Sequence, residues 1–322
     1  MTTLVTGCSG FIGMHLMEAL GEAVGVDARP LPRALPGVRF HQIDILDPRL
    51  DEVFAKEKVT KVVHLAARSD IRSAEGVDSY LDVNIRGTAR LLELCAKHAV
   101  KQFVFASSSS VYGGNPNPPF REDDPIEPLS IYGITKRTGE LLCHYYSKKF
   151  GLSCTVFRFF TVYGERGRAD QAVRTFTRLV MEGRPIQRFG DGRSERDYIH
   201  VHDVVRGIQA ALARDAGTHV VNLGTGRAVP LNDLIRLIGE AAGKEPLIQP
   251  VPDIVENVET TCANIDRARA LLGWVPTIPI EEGVRRFVAW YRESGALEDA
   301  ANKPLDGGSH RSGEAFIKQR RH

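Results

Sequence analysis

No apolar run in the sequence approaches the roughly 18 residues that a membrane-spanning helix needs, and the N-terminus enters a strand pattern at once instead of a basic, then apolar, leader. Neither sign of charge dominates: 42 Lys and Arg stand against 40 Asp and Glu, a net charge of +2 over 322 residues. So balanced a field excludes binding to nucleic acid or membranes through overall charge. Cysteine is scarce and unpatterned. Cys8, Cys95, Cys143, Cys154 and Cys262 form an odd, scattered set with no CxxC pair, so neither a disulfide framework nor a metal site is expected. With 43% hydrophobic and 25% charged residues the chain is outside the disordered and low-complexity classes. These absences describe a soluble, reduced, cytoplasmic protein, long enough for about two domains.

What is present, up to about Phe159, is an alternation of short apolar runs and helical stretches, the pattern of a parallel sheet with crossover helices. The strand candidates are Thr3–Thr6, Ala23–Asp27, Val38–Ile43, Lys61–Ala66, Gln102–Ala106 and Ser153–Phe159. Apolar residues recur at helical spacing in Phe11–Leu20, Asp47–Lys56, Asp78–His98 and Ile131–Phe150. The expected fold class is α/β, a doubly wound, Rossmann-like parallel sheet over residues 1–160 with additions from later segments. Beyond Thr161 longer loops separate isolated strands (Pro185–Phe189, His219–Asn222) from helices (Val201–Ala213, Leu231–Gly243, Ile280–Trp290), which reads as a smaller substrate-binding lobe over 161–295. Residues 303–322, with Gly307-Gly308 and a polar end, read as a flexible tail.

Thr6-Gly7-Cys8-Ser9-Gly10-Phe11-Ile12-Gly13 stands between the first strand and the first helix. A chain that turns sharply and brings backbone N–H groups against a pyrophosphate needs residues without Cβ there, and a helix N-terminus favours the negative charge. The second strand ends in Asp27, a carboxylate suited to the ribose hydroxyls of NAD and repulsive to a 2′-phosphate; Arg29, two residues on, keeps NADP as the alternative. Asp44-Ile45 would lie along the adenine, with a simple loop cap as the other reading of Asp44. Leu65-Ala66-Ala67, after His64, would pass under the pyrophosphate and nicotinamide ribose.

Tyr132 and Lys136 are four apart in a helical stretch and so project from one face. A phenol with an ordinary pKa near 10 is a poor base at neutral pH, but an ammonium group and an oxidised nicotinamide nearby stabilise the phenolate. The pair follows a strand that runs into Ser107-Ser108-Ser109-Ser110-Val111-Tyr112-Gly113, hydroxyls at the carboxyl end of a sheet, where α/β active sites form.

Together with Asn84, Gly87-Thr88, Arg158–Gly164, Arg196–His200, Asp203 and Val221–Gly226, these motifs agree in order and spacing with one family. Over roughly residues 2–292 the chain resembles the extended short-chain dehydrogenase/reductases, in the NAD-dependent nucleotide-sugar epimerase and dehydratase branch. The resemblance implies that Tyr132 is the base, that Lys136 holds the nicotinamide ribose, and that Ser108 bonds the sugar O4. Asn84 and Ser107 join the cofactor contacts; Arg68, Ser109 and Ser110 join the substrate contacts. It further implies a homodimer through two long helices, matched here by Asp78–His98 and Ile131–Phe150, with Leu91, Leu92, Cys95 and Leu141, Leu142, Tyr145 as the interface stripes.

The chemistry these residues allow is loss of the C4 hydroxyl proton to Tyr132 with hydride transfer to NAD⁺, then hydride return to the opposite face of the 4-keto sugar. Related dehydratases and decarboxylases carry acids where this chain has Ser109-Ser110, so a 4-epimerase is expected. Thr161 and Arg168 are placed to clamp a C5 carboxylate, which makes the chain most similar to the UDP-glucuronate 4-epimerases. Alternatives are a UDP-glucose or UDP-N-acetylhexosamine 4-epimerase, a 4-ketoreductase and, remotely, a non-catalytic dinucleotide sensor. Arg196 is expected on the diphosphate of the UDP-sugar. Asn257 and Asn264 depart from the family's nucleotide-end pattern and leave the base open.

Overall fold

The computed structural model describes residues 1–69, 76–214, 217–252 and 259–295. Asn257 and the expected tail fall outside them. Six strands build the first part: β1 (Thr2–Thr6), β2 (Ala23–Asp27), β3 (Val38–Gln42), β4 (Val59–His64), β5 (Gln102–Ser108) and β6 (Ser153–Phe159). Between them run α1 (Phe11–Leu20), α2 (Leu50–Glu57), α3 (Val77–Tyr80), α4 (Thr88–Lys97) and α5 (Ile131–Phe150). The second part contributes β7 (Thr161–Tyr163), α6 (Ala172–Glu182), β8 (Ile186–Phe189), β9 (Glu195–His200), α7 (Val201–Leu212), β10 (His219–Leu223), β11 (Ala228–Pro230), α8 (Leu231–Ala242), β12 (Ile248–Val251), β13 (Thr260–Thr261), α9 (Asp266–Leu272) and α10 (Ile280–Trp290).

The principal sheet has seven strands in the order β10-β6-β5-β4-β1-β2-β3, and every pairing in it is parallel. Strand order reverses between β1 and β4, which opens a crevice at their carboxyl ends. β2, β5 and β6 are buried at every residue, the near-continuous apolar pattern of strands covered on both faces. One apolar layer packs α1 and α7 on the sheet, the other α2, α4 and α5. A third cluster, from Tyr163 to Tyr291, forms the core of the later segments. No helix among the described residues is long and apolar enough to cross a membrane.

Three expectations change. His219–Leu223 is not a lobe strand: it pairs with β6 as the sheet's edge, and α7 packs beneath the same sheet, so the chain returns to its first unit after leaving it. The long helix expected over Asp78–His98 is interrupted, α3 passing into α4 through π-helical Leu81–Gly87, whose extra residue per turn re-aims Asn84 inward. On α4, Leu91, Leu92 and Cys95 are wholly buried in their own chain's core and cannot form an interface stripe. On α5 Leu142, expected in the other stripe, packs partly buried against the same core, and the exposed apolar residues of these helices are Val77, Leu81, Ile131, Ile134, Leu141, Tyr145 and Phe150.

Candidate active site

At the switch point the β1–α1 turn is built so that only glycine fits. Gly7 has φ +71°, and a Cβ there would stand 2.6 Å from the Ala66 nitrogen; one at Gly13 would stand 2.1 Å from the Gly7 carbonyl oxygen. The turn thus presses on the Leu65–Ala67 segment after β4, and α1, with Gly10 as its cap and no acid in its first turn, points unneutralised N–H groups from Phe11 and Ile12 toward the crevice. Asp27 is buried at the end of β2. Its Oδ2 accepts the Ser9 N–H at 3.0 Å and its Oδ1 the Arg29 N–H at 3.0 Å, and each oxygen keeps capacity for a second donor. The Arg29 side chain is 69% exposed, with Nε 3.5 Å from Asp27 Oδ1. Asp44 caps its own loop by accepting the Leu46 N–H at 2.8 Å, while Ile45 is buried against Gly87.

Asn84 does not face outward. Its Oδ1 accepts the Arg68 N–H at 2.8 Å, and its Nδ2 donates to the Arg68 carbonyl and to Thr135 Oγ1, both at 2.9 Å, so it ties the segment under the cofactor crevice to α5. Behind it lies a buried relay. Thr88 donates to the Asn84 carbonyl, so His64 Nε2 must donate to Thr88, and His64 Nδ1 accepts from Thr6. Burial lowers the His64 pKa to about 3, which keeps the ring neutral in that tautomer.

The helix carrying Tyr132 starts hard against the serine loop. Ser130 caps α5 by accepting the Gly133 N–H at 3.0 Å, and a Cβ on Gly133 would lie 2.7 Å from the Ser110 carbonyl oxygen. This seats the Tyr132 phenol in hydrogen bond with the Ser108 side chain. Burial raises the phenol's pKa, while the Ser108 bond and then the charge of Arg168 pull it down; the net direction is up. Ser108 Oγ also accepts the Ser110 N–H at 3.1 Å and donates to Ser110 Oγ at 3.1 Å. Lys136, 3% exposed, donates from Nζ to the Ala106 carbonyl at 2.7 Å and lies 5.7 Å above the Tyr132 ring. Burial lowers its pKa to about 8.

Ser107 points the other way. It donates to Glu140 Oε1 at 2.6 Å, and Glu140 is gripped by Arg158 through Nε–Oε1 (3.0 Å) and Nη2–Oε2 (2.9 Å), both side chains 1% exposed. Arg158 Nη1 continues to the Tyr112 hydroxyl and the Glu122 carbonyl, and Tyr112 donates to Asn222 Oδ1 at 2.7 Å. This network fastens β5, β6, β10 and α5 behind Tyr132 and Lys136, a part not foreseen for Ser107, expected among the cofactor contacts, or for Arg158. A signal existed: Glu140 is four residues after Lys136, on the same face of the helix.

On the other wall, Thr161 opens β7 opposite Tyr198 of β9. Arg168, in the loop after β7, donates from Nε to Asp170 Oδ1 at 2.9 Å and from Nη1 to the Ser69 hydroxyl. Its Nη2 donates to Asp170 Oδ2, so the fork already holds a carboxylate, and its positive charge acts to lower the pKa of the Tyr132 phenol. Arg196 is directed by Nη1 to the carbonyls of Glu195 (2.8 Å) and Glu259 (3.3 Å). Unanticipated is Asp197, fully buried, whose two oxygens accept N–H groups of Thr225, Gly226 and Ala263 and the Thr225 hydroxyl. Asn264 bonds the first turn of α9 through Asp266.

Glu165, His200 and His202 bring three ligand-type atoms within 4.8 Å of one another. His200 Nδ1, however, accepts the His202 N–H at 3.3 Å, so the neutral ring carries its proton on Nε2, 3.4 Å from Glu165 Oε2. A proton stands where a cation would need a lone pair, and the trio reads as an imidazole N–H facing a carboxylate.

Known proteins share both the chain and this architecture. A UDP-glucuronate 4-epimerase of Thermodesulfobacterium geofontis is 39% identical over 313 residues, covering 90% of this chain and 96% of that one. MoeE5 in complex with UDP-glucuronic acid and NAD superimposes with a TM-score of 0.86 at 36% identity over 91% of this chain and all of that one; its complex with UDP-glucose and NAD gives 0.85. The UDP-glucuronic acid 4-epimerase of Bacillus cereus, in complex with UDP-glucuronic acid and NAD, gives 0.84 at 32% identity over 91% and 99%. Residues 3–224, from the glycine turn through the Tyr132 helix to the edge strand β10, match the sequence model of one family throughout, and the chain belongs to it: the NAD dependent epimerase/dehydratase family.

Proposed function

We infer that the chain is an NAD-dependent UDP-sugar 4-epimerase that interconverts UDP-glucuronate and UDP-galacturonate through a 4-keto sugar. The observation that carries the choice of sugar is Arg168, whose guanidinium holds the Asp170 carboxylate at two points and bonds Ser69 with its remaining nitrogen, a fork whose exposed carboxylate partner a sugar carboxylate would replace. Its planar fork suits a carboxylate beside the reacting carbon. The similar proteins that hold UDP-glucuronic acid with NAD support the same reading. No carboxylate stands at Ser109 or Ser110 to drive elimination or decarboxylation.

The residues fit NAD. Gly7 and Gly13 leave room that a Cβ would fill, and Asp27 keeps acceptor capacity on both oxygens for ribose hydroxyls. NAD, when bound, supplies reversible acceptance of the C4 hydride and is not consumed. Tyr132 takes the C4 hydroxyl proton and returns it after the sugar turns over in the pocket. Ser108 holds O4 in line with the phenol, and Lys136 keeps positive charge beside the ring, favouring the phenolate. Thr161 and Arg168 hold the C5 carboxylate, and Arg196 faces the diphosphate. Residues 1–160, with β10 and α7 returning to them, form the cofactor unit, and 161–295 supply most of the sugar-nucleotide lobe.

Arg168→Met tests the sugar. A charge-assisted pair is worth about 1.5–3 kcal/mol, so kcat/KM for UDP-glucuronate should fall roughly 10- to 150-fold while any residual turnover of UDP-glucose is spared. Equal losses on both sugars would favour the second reading, a UDP-glucose 4-epimerase, which the UDP-glucose complex of MoeE5 also suits.

The assembly we propose is a homodimer through α3 and α5. Ile131, Ile134, Leu141 and Tyr145 are 40–54% exposed along one helix, with Val77 and Leu81 exposed beside them. Light scattering should give twice the chain mass of 35.6 kDa, and Leu141→Asp should shift it toward monomer. A wild-type monomer at micromolar concentration would refute the interface.

A further inference from the structure

The loop that carries Arg168 leaves β7 at Tyr163 and enters α6 at Ala172, and it is held from two sides. From α6, Arg174 Nη1 donates to the Gly167 carbonyl at 2.7 Å and Thr175 Oγ1 to the Ala169 carbonyl at 2.9 Å. From the dinucleotide side the contacts come from α1. His15 Nε2 bonds the Glu165 carbonyl at 2.8 Å, and Arg166 grips Glu18 with both ends of its guanidinium, Nη1–Oε1 at 2.6 Å and Nη2–Oε2 at 2.9 Å. The two side chains are only 26% and 28% exposed.

The protonation pattern of this clamp is determined by its partners. A carbonyl can only accept, so His15 carries its proton on Nε2, and its Nδ1 lone pair receives Arg166 Nη2 at 3.1 Å. Burial lowers the His15 pKa to about 4, and the hydrogen bonds from Arg166 and then from Arg33, whose Nη2 donates to Glu18 Oε1 at 2.6 Å, lower Glu18 to about 2 against its burial, so every group is in its bonding form at neutral pH. Arg166 itself has φ +60°, a left-handed conformation that a non-glycine residue keeps only where its surroundings enforce it. The His15 ring also stands edge-to-face with that of Phe11, a residue of the glycine turn, with centroids 5.8 Å apart.

We propose that Arg166, clamped by Glu18 and His15, is a specificity-determining positioning residue: it fixes the loop so that Arg168, two residues on, faces the sugar carboxylate, and it ties that recognition to the helix that bears the dinucleotide turn. The proposal rests on the reading that Arg168 takes the carboxylate. Without the clamp the bonds from α6 and from His15 still hold the loop's ends, but the backbone at 166 is released and must be ordered on binding, so affinity for the carboxylate would fall while the diphosphate contacts stay.

The test uses the holoenzyme in a Tyr132→Phe background, where calorimetry reads binding without turnover. Arg166→Gly retains the left-handed backbone and deletes only the clamp. UDP-glucuronate should bind roughly 10-fold more weakly, while UDP, which lacks the carboxylate, stays within about twofold and bound NAD per chain is unchanged. Arg166→Lys, which cannot grip both Glu18 oxygens, should fall between, and Arg33→Met, which removes the other arginine on Glu18 and leaves the Arg166 grip, should keep UDP-glucuronate within about twofold. Equal weakening of UDP and UDP-glucuronate, unchanged UDP-glucuronate affinity, or a loss in Arg33→Met as large as in Arg166→Gly would each overturn the clamp. Loss of carboxylate preference in Arg168→Met with none in Arg166→Gly sinks the clamp alone; loss in neither sinks the carboxylate reading with it.

Discussion

Tyr132→Phe should lower turnover by about 10²–10⁴-fold while UDP-sugar and NAD still bind, because it deletes one hydroxyl and leaves the helix, its cap and its packing in place. The phenol's immediate partner is Ser108, and Lys136 lies over the ring with its ammonium directed to the Ala106 carbonyl. The substitution removes the bond to Ser108 but leaves Ser108 on its Ser110 bonds and Lys136 on the Ala106 carbonyl, so a collapse of the site would not explain a loss. Burial raises the phenol's pKa, so the free enzyme holds Tyr132 protonated at neutral pH, and the phenolate forms as positive charge accumulates near it. Rates of UDP-galacturonate formation, set beside calorimetric affinities for UDP-glucuronate, make the measurement. A variant with near-normal turnover would remove Tyr132 from the mechanism.

Arg158→Met should be the most damaging single change to stability, about 3–5 kcal/mol, because it strands the Glu140 carboxylate in the core. In the intact protein burial would raise the Glu140 pKa, but the bonds from Arg158 outweigh it and hold the carboxyl below its ordinary range. A depressed folded pKa contributes stability that is complete above the ordinary carboxylate range and lost as pH falls through the folded value. Without Arg158 the sign reverses: only Ser107 and the partly exposed Arg137 remain on Glu140, the buried carboxylate is easier to protonate, and the gap to wild type should narrow on acidification. Urea midpoints at pH 7 and pH 5 report both effects. Removing Glu140 as well should cost less than twice the single change, since the pair acts as one unit. A single-variant loss under about 1 kcal/mol would show that the pair is not held as described.

The features legible along the chain are those set by neighbours a few residues apart. Gly7, Gly10 and Gly13 between a strand and a helix declare a turn with close backbone approach, since the need for a missing Cβ is local. Tyr132 and Lys136 share a face because a helix repeats every 3.6 residues, and the buried β-strands appear as continuous apolar runs because both faces are covered. What those rules leave open is which distant segment covers each face. Four consecutive serines look alike in sequence, yet the strand pleat and the start of α5 turn Ser107 back to Glu140 and Ser108 toward Tyr132. Leu91, Leu92 and Cys95 read as a second apolar stripe until the sheet covers them, and only the π-helical turn shows that the Asn84 amide meets Arg68 and Thr135. Arg158 and Glu140 lie 18 residues apart, and Glu18 and Arg166 are separated by 148. Periodicity carries orientation within one element, whereas a buried ion pair or a clamp needs two elements to meet, and that meeting is decided by the packing of the whole chain around its sheet.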